Sequence, residues 1–336
     1  MRNQLIRFLK FAIPVAVIAW LLTTVEPARF AELRARDKDW MQLAAGLLLA
    51  FGAVCLSFVR WFLLVRVLAL RFTLRDAFRL SFLGYLGNFV AAGNVGGDLF
   101  KAIFIAREQP HRRSEAIATV IVDRVIGLYA LLLVASGVLL FGGLSLATPA
   151  LRGIARLTIL ATGLGGIGVL LLLIPGFTNG MLSKWLTALP KIGATCERLI
   201  TAVRMYRDKP RRMAGIMVVS MLVHVMLAVA MFFLARGLYG VAPTLAEHFI
   251  IVPLSLIAGA LPFTPAGLGS FELAMDELYR VVPVAGTSGV SGVLLALAYR
   301  LVTIAIAAIG VVYSWCGERN EMLEPAEAVT PAVSVE

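Results

Sequence analysis

Eight stretches of this chain run long without Asp, Glu or Lys, and only one of them holds an Arg: residues 11–25, 41–59, 80–97, 125–151, 157–183, 213–235, 249–271 and 281–317, the last interrupted by Arg300. About 20 consecutive apolar residues cross the hydrocarbon core of a bilayer as a helix, so this spacing predicts a polytopic, all-α membrane protein. Composition agrees. The 336 residues are 60% hydrophobic and 15% charged, with a mean hydropathy of +0.89, against about 45–50% and 25% in soluble domains. A soluble enzyme, a nucleic-acid-binding module and a disulfide-stapled domain all fit poorly. Cys55, Cys196 and Cys316 are too scattered for a zinc site.

The net charge of +11 has a membrane explanation, because Lys and Arg favour the cytoplasmic ends of spans. Placing the N-terminus inside puts Arg2, Arg7 and Lys10, the bases from Arg60 to Arg75, those from Lys101 to Arg113, those from Lys184 to Arg212, and Arg319 on the cytoplasmic side. The stretch 11–25 lacks a small-residue cleavage site and reads as a retained first span. Basic clusters flank 80–97 on both sides, so this stretch is expected to dip into the membrane from the cytoplasm and return, turning at 91–97. By the same reasoning 249–271, broken by Pro262, Pro265, Gly267 and Gly269, enters from outside. Six full spans and two opposed re-entrant hairpins result, with eight full spans as the alternative.

Broken helices are tolerated at membrane depth only where protein or a wet cavity surrounds them, and opposed pairs of them mark the substrate sites of many transporters. A possible inverted repeat underlies the two breaks. NVGGDLFKA (94–102) and PAGLGSFELA (265–274) share a Gly-rich turn, an aromatic and a nearby charge. Each is followed by an intramembrane arginine, Arg124 or Arg300. Gly96 and Gly97 of the first break and Pro262, Pro265, Gly267 and Gly269 of the second are expected to line a cavity, and Asn94 could donate to a substrate head group or satisfy freed backbone carbonyls.

Charges at membrane depth cost about 2.5–3.5 kcal/mol each at a helix centre, so each needs a role. Arg124 and Arg300 are expected to face a common cavity and hold a phosphate, with Asp98, Asp123 and Glu272 neutralising them between substrates. Lys101 sits nearer the interface. The rival reading makes these charges internal struts. His224 could relay protons, although a lone histidine between helices is more often simply hydrogen-bonded. Residues 1–317 form the membrane domain, including a cytoplasmic interfacial helix pair at 178–212, and 318–336 are expected to be a disordered cytoplasmic tail. No phosphate loop, H-E-x-x-H, Cys-x-x-Cys or G-x-S-x-G occurs, so no enzyme activity, metal or cofactor is expected.

The succession of NVGGDLFKA, ATVIVDRVIGL, PFTPAGLGSFE and LLALAYRLVTI resembles the paired signatures of the lysylphosphatidylglycerol synthase transmembrane-region family, the flippase-like membrane proteins. The resemblance spans about residues 5–316. It implies movement of a lipid or lipid-linked head group across the inner membrane, as better-known members move aminoacylated phosphatidylglycerol. It also implies membrane lipids with phosphate-bearing heads as partners, and a lipid- or glycan-synthesis enzyme as a possible second one. By resemblance Asp98 and Lys101 fall on the first signature, Asp123 and Arg124 on the polar pair after it, and Gly267, Gly269, Glu272 and Arg300 on the second half. The chain ends soon after its last span, so lipid aminoacylation is not expected of it. The alternatives are a small-anion transporter, whose cavity would be closed to lipid, and a non-transporting scaffold.

Overall fold

The computed structural model describes residues 31, 33–90, 96–142, 148–173, 193–261, 269–282 and 290–321, and no strand occurs among them. The principal helices are α1 (Trp40–Val67), α2 (Leu74–Val90), α3 (Gly96–Glu108), α4 (Arg113–Phe141), α5 (Pro149–Leu173), α6 (Gly193–Tyr206), α7 (Pro210–Tyr239), α8 (Leu245–Ala260), α9 (Ser270–Val281) and α10 (Gly292–Glu321). Five of them, α1, α4, α5, α7 and α10, are long and apolar enough to cross a membrane. These are five of the six spans expected. The sixth, 11–25, lies outside the described residues, as do 178–192 of the interfacial segment and 322–336 of the tail. Helix α10 continues to Glu321, into the segment expected to be disordered.

Helices α2 and α3 pack against each other, and so do α8 and α9. Close approaches fix both pairs as antiparallel hairpins. A Cβ on Gly84 would meet the Gly97 carbonyl at 3.0 Å and one on Gly87 the Gly96 carbonyl at 3.3 Å. In the second hairpin, Gly259 faces Phe271, the Ser255 hydroxyl points at the Met275 sulfur, and the Tyr279 hydroxyl bonds to His248 at 2.7 Å. Small residues at such crossings let backbones approach where water supplies no hydrophobic drive.

The packing repeats between the halves. α1, α2, α3 and α4 correspond to α7, α8, α9 and α10: α2 packs on α10 as α8 packs on α4, α3 on α4 as α9 on α10, and α1 lies against α7. Local sequence repeats too. The helix starts TLRDAF (73–78) and TLAEHF (244–249) each place an acid three residues after a threonine. In both, the acid accepts from the threonine N–H and hydroxyl and the threonine oxygen accepts from the acid's N–H, closing a reciprocal cap.

Helix α4 is the hub, touching α1, α3, α5, α6, α7 and α8. Asp98, in the first turn of α3, meets Arg124, eleven residues beyond the start of α4 and so about 16 Å along its axis. The start of α3 therefore lies level with the middle part of the 29-residue α4.

Candidate functional site

Arg124 joins both hairpins. Its guanidinium pairs with Asp98 at 3.3 Å at the start of α3 and donates to the Ala260 carbonyl at 3.0 Å at the end of α8. Glu272, in the first turn of α9, is the matching acid of the second half. It accepts from the Gly269 N–H at 2.7 Å and from Arg300 at 2.7 Å. Gly269 takes φ +85°, a left-handed conformation that favours glycine. The positive ends of two helices thus lie at the break, each with an acid in its first turn.

Asp123 behaves differently from expectation. It accepts from Arg60 Nε at 2.8 Å, and Arg60 also donates to Ser220 Oγ at 2.7 Å. Sequence reading put Arg60 in a cytoplasmic loop because the charge-free run ends there. The helix continues to Val67, and the apolar residues after Arg60, Trp61 to Val65, are the signal that was available. Gly127 makes room for this arginine, since a Cβ there would lie 3.1 Å from its guanidinium. The clamp ties α1, α4 and α7 together.

A cavity of about 260 Å³ opens between α1, α2, α3, α4 and α7, with Leu256 and Ala260 of α8 and Tyr299 of α10 completing its lining. Asp98, Lys101, Asp123 and Arg124 line it together with Gly97, Arg60, Ser81 and His224. Lys101 does not reach outward to an interface. Its ammonium lies 4.8 Å from the Trp61 ring centre and 5.9 Å from that of Phe58, and no carboxylate lies within 4.0 Å of it among the described residues. His224 Nε2 donates to the Gly127 carbonyl at 3.0 Å, as expected for a histidine between helices.

Arg300 and Glu272 are not in this lining; Arg300 sits 5.5 Å from the Phe271 ring and beside Glu272. Arg124 lines this cavity and Arg300 is not among its described lining residues. Gly96 is buried at the start of α3. Asn94, Pro262, Pro265 and Gly267 fall outside the described residues.

Beside the polar cavity lies a groove of about 1110 Å³ between α3, α4 and α6. Leu99, Ile103, Ile117, Ile121 and Val125 give it an apolar floor, and Leu99, Ile103 and Ile117 are exposed. Arg107 and Arg113 stand at one end, with Glu197 of α6 opposite. Asp98 and Arg124 line both spaces, so the pair forms the wall between groove and cavity.

A helical membrane protein with two broken-helix hairpins, buried charge at their tips and a groove exposed along apolar helices is the class these features define. The chain belongs to the family of the lysylphosphatidylglycerol synthase TM region, which it matches over residues 7–310. It is also similar to a UPF0104 membrane protein of Methanothermobacter thermautotrophicus, 22% identical over 331 residues, covering 92% of this chain and 93% of the relative. No solved structure matches the chain.

Proposed function

We propose that the protein moves the polar head of a phosphate-bearing lipid between the leaflets of the inner membrane, without nucleotide hydrolysis of its own. The observation that carries this reading is the shared wall: the apolar groove and the buried cationic cavity meet at Asp98 and Arg124. Acyl chains would stay in the groove while the head passes the pair into the cavity. Membership of a flippase-like family supports the same reading. With the N-terminus inside, α3 ends and α4 begins at the cytoplasmic face, so the groove faces the inner leaflet and Arg107 and Arg113 attract anionic heads. A small-anion transporter would have no use for a groove of this size exposed to hydrocarbon.

The mechanism follows from what each residue can do. Arg124 offers a guanidinium to a phosphate and trades Asp98 for it, because a partly accessible pair 3.3 Å apart is weakly held. The Arg60–Asp123–Ser220 clamp holds α4 in place while this exchange occurs. Tilting of one half against the other would then expose the head to the opposite side. The test is translocation of a fluorescent phosphatidylglycerol in proteoliposomes. Wild type is expected to move it, and Arg124→Gln, matched for folding, to slow it at least about tenfold by loss of a charged hydrogen bond. Absence of movement by folded wild-type protein with every extracted native lipid tried would overturn the proposal.

A further inference from the structure

Two buried polar atoms on residues of the cavity lining have no hydrogen-bond partner among the described residues: Ser81 Oγ and His224 Nδ1. Both residues are buried, Ser81 fully and His224 to 8% exposure. An orphaned polar atom at such depth is costly, and a ligand is one of the few things that can satisfy it. Their chemistry differs in a useful way. The Gly127 carbonyl can only accept, so Nε2 carries the proton and, in the neutral ring, Nδ1 is left as an acceptor. It asks for a donor from the ligand. Ser81 can donate to an oxygen.

Charge adds a second constraint. Arg60, Lys101 and Arg124 line the cavity with only Asp98 and Asp123 to balance them. Both carboxylates are engaged by arginines, which leaves Lys101 held by aromatic faces. The surplus is one positive charge. Volume is the third constraint, since about 260 Å³ falls just under the roughly 300–1,000 Å³ of pockets for whole drug-sized ligands. A head group fits and a whole lipid does not.

We infer that the cavity is a seat for a singly charged phosphodiester bearing a free hydroxyl, a polyol or sugar phosphate head without an amine, its phosphate on Lys101 and Arg124 and its hydroxyl donating to His224. The inference rests on the lipid reading of the groove and narrows it. A lysylated head carries two amines against one phosphate and would bring a net positive charge into a site already in positive surplus.

Binding is the direct test. The full chain in detergent is titrated with dioleoyl-phosphatidylglycerol, dioleoyl-phosphatidylethanol (the same charge without the hydroxyls), lysylphosphatidylglycerol, and the soluble head group glycerophosphoglycerol. Phosphatidylglycerol is expected to bind about tenfold more tightly than phosphatidylethanol, the worth of one buried hydrogen bond. In His224→Leu that ratio falls to about one while phosphatidylethanol binding is kept. Lys101→Met weakens both lipids and Lys101→Arg restores them. Ser81→Ala, which removes a hydroxyl without a partner and so leaves the fold intact, weakens phosphatidylglycerol severalfold even if His224→Leu fails to fold. Equal binding of phosphatidylglycerol and phosphatidylethanol by wild type overturns the inference, as does tighter binding of lysylphosphatidylglycerol. Displacement of the lipid by glycerophosphoglycerol at equal concentration supports the seat but assigns it a soluble ligand. The two proposals fail separately: selective binding without translocation sinks the flippase reading alone, and translocation without selectivity sinks the seat alone.

Discussion

The two halves carry the same device in different states. Asp98 and Arg124 lie 3.3 Å apart with side chains 26% and 30% exposed, whereas Glu272 and Arg300 lie 2.7 Å apart at 7% and 13%. An exposed leucine follows each acid, Leu99 and Leu273. Three residues after the acids the halves diverge: Lys101 faces a cavity, and Met275 is fully buried in the core formed by α7, α8, α9 and α10. One helix–hairpin–helix plan therefore carries a longer, more exposed ion pair in the first half and a shorter, buried one in the second.

The sharpest way to break this contrast is to remove one acid from each pair. Cutting a buried ion pair leaves an uncompensated charge and costs about 3–5 kcal/mol, while an accessible pair is worth about 0–1 kcal/mol. Glu272→Gln is thus expected to lower the melting temperature and folded yield in detergent severely, and Asp98→Asn to lower them less, because Arg124 keeps its bond to the Ala260 carbonyl. Equal losses would mean that the two pairs do the same structural job. Exchanging the divergent residues comes next. Met275→Lys places an unpaired charge at membrane depth and should cost about 2.5–3.5 kcal/mol. Lys101→Met makes the first half resemble the second, so thermal stability should hold or rise while lipid binding falls.

How much of this was legible in the sequence depended on the kind of signal. The charge-free runs located the spans, because the bilayer demands length and apolarity from each segment on its own. The charges inside those runs were legible too, as Arg124 and Arg300 with the acids expected to neutralise them, but which acid meets which arginine came only from the structure. Long-range partners were not legible. Arg60 and Asp123 are 63 residues apart, and nothing in either local sequence announces the other. A run broken by one arginine looks like a helix end, although the apolar stretch from Trp61 to Val65 continues the pattern. The repeat was read from the tips, where the breaks resemble each other weakly. TLRDAF and TLAEHF at the hairpin bases carry it more clearly, because a reciprocal cap tolerates few residue types.

Glycine contacts separate the halves by a smaller margin. A Cβ on Gly292 would sit 2.6 Å from the Asp276 Cα and the Met275 carbonyl, backbone atoms that cannot step aside, whereas at Gly84 the nearest atoms are the Gly97 carbonyl at 3.0 Å and the flexible Lys101 stem. Overpacking of this kind costs about 1–3 kcal/mol. Gly292→Ala belongs at the upper end of that range and Gly84→Ala at the lower, read as paired melting temperatures. A reversed order would make the first hairpin the rigid one.

The smallest difference is expected at the caps. Thr73 and Asp76 close their reciprocal cap in an exposed setting, where water replaces lost bonds readily. Glu247 is 3% exposed, and beside it His248 bonds to the Thr244 carbonyl at 3.0 Å and accepts from the Tyr279 hydroxyl. Replacing a threonine cap by alanine costs about 0.5–2 kcal/mol, depending on what else can satisfy the freed groups. Thr244→Ala should fall near the top of that range, because the Glu247 carboxylate loses a donor where solvent is scarce, and Thr73→Ala near the bottom. Hydrogen exchange at the first turns of α2 and α8 resolves the two locally. Faster opening in α8 after Thr244→Ala, with α2 nearly unchanged after Thr73→Ala, would extend the contrast of sealed and accessible halves from the tips to the bases of the hairpins. Equal opening would confine that contrast to the tips, where Lys101 and Met275 differ.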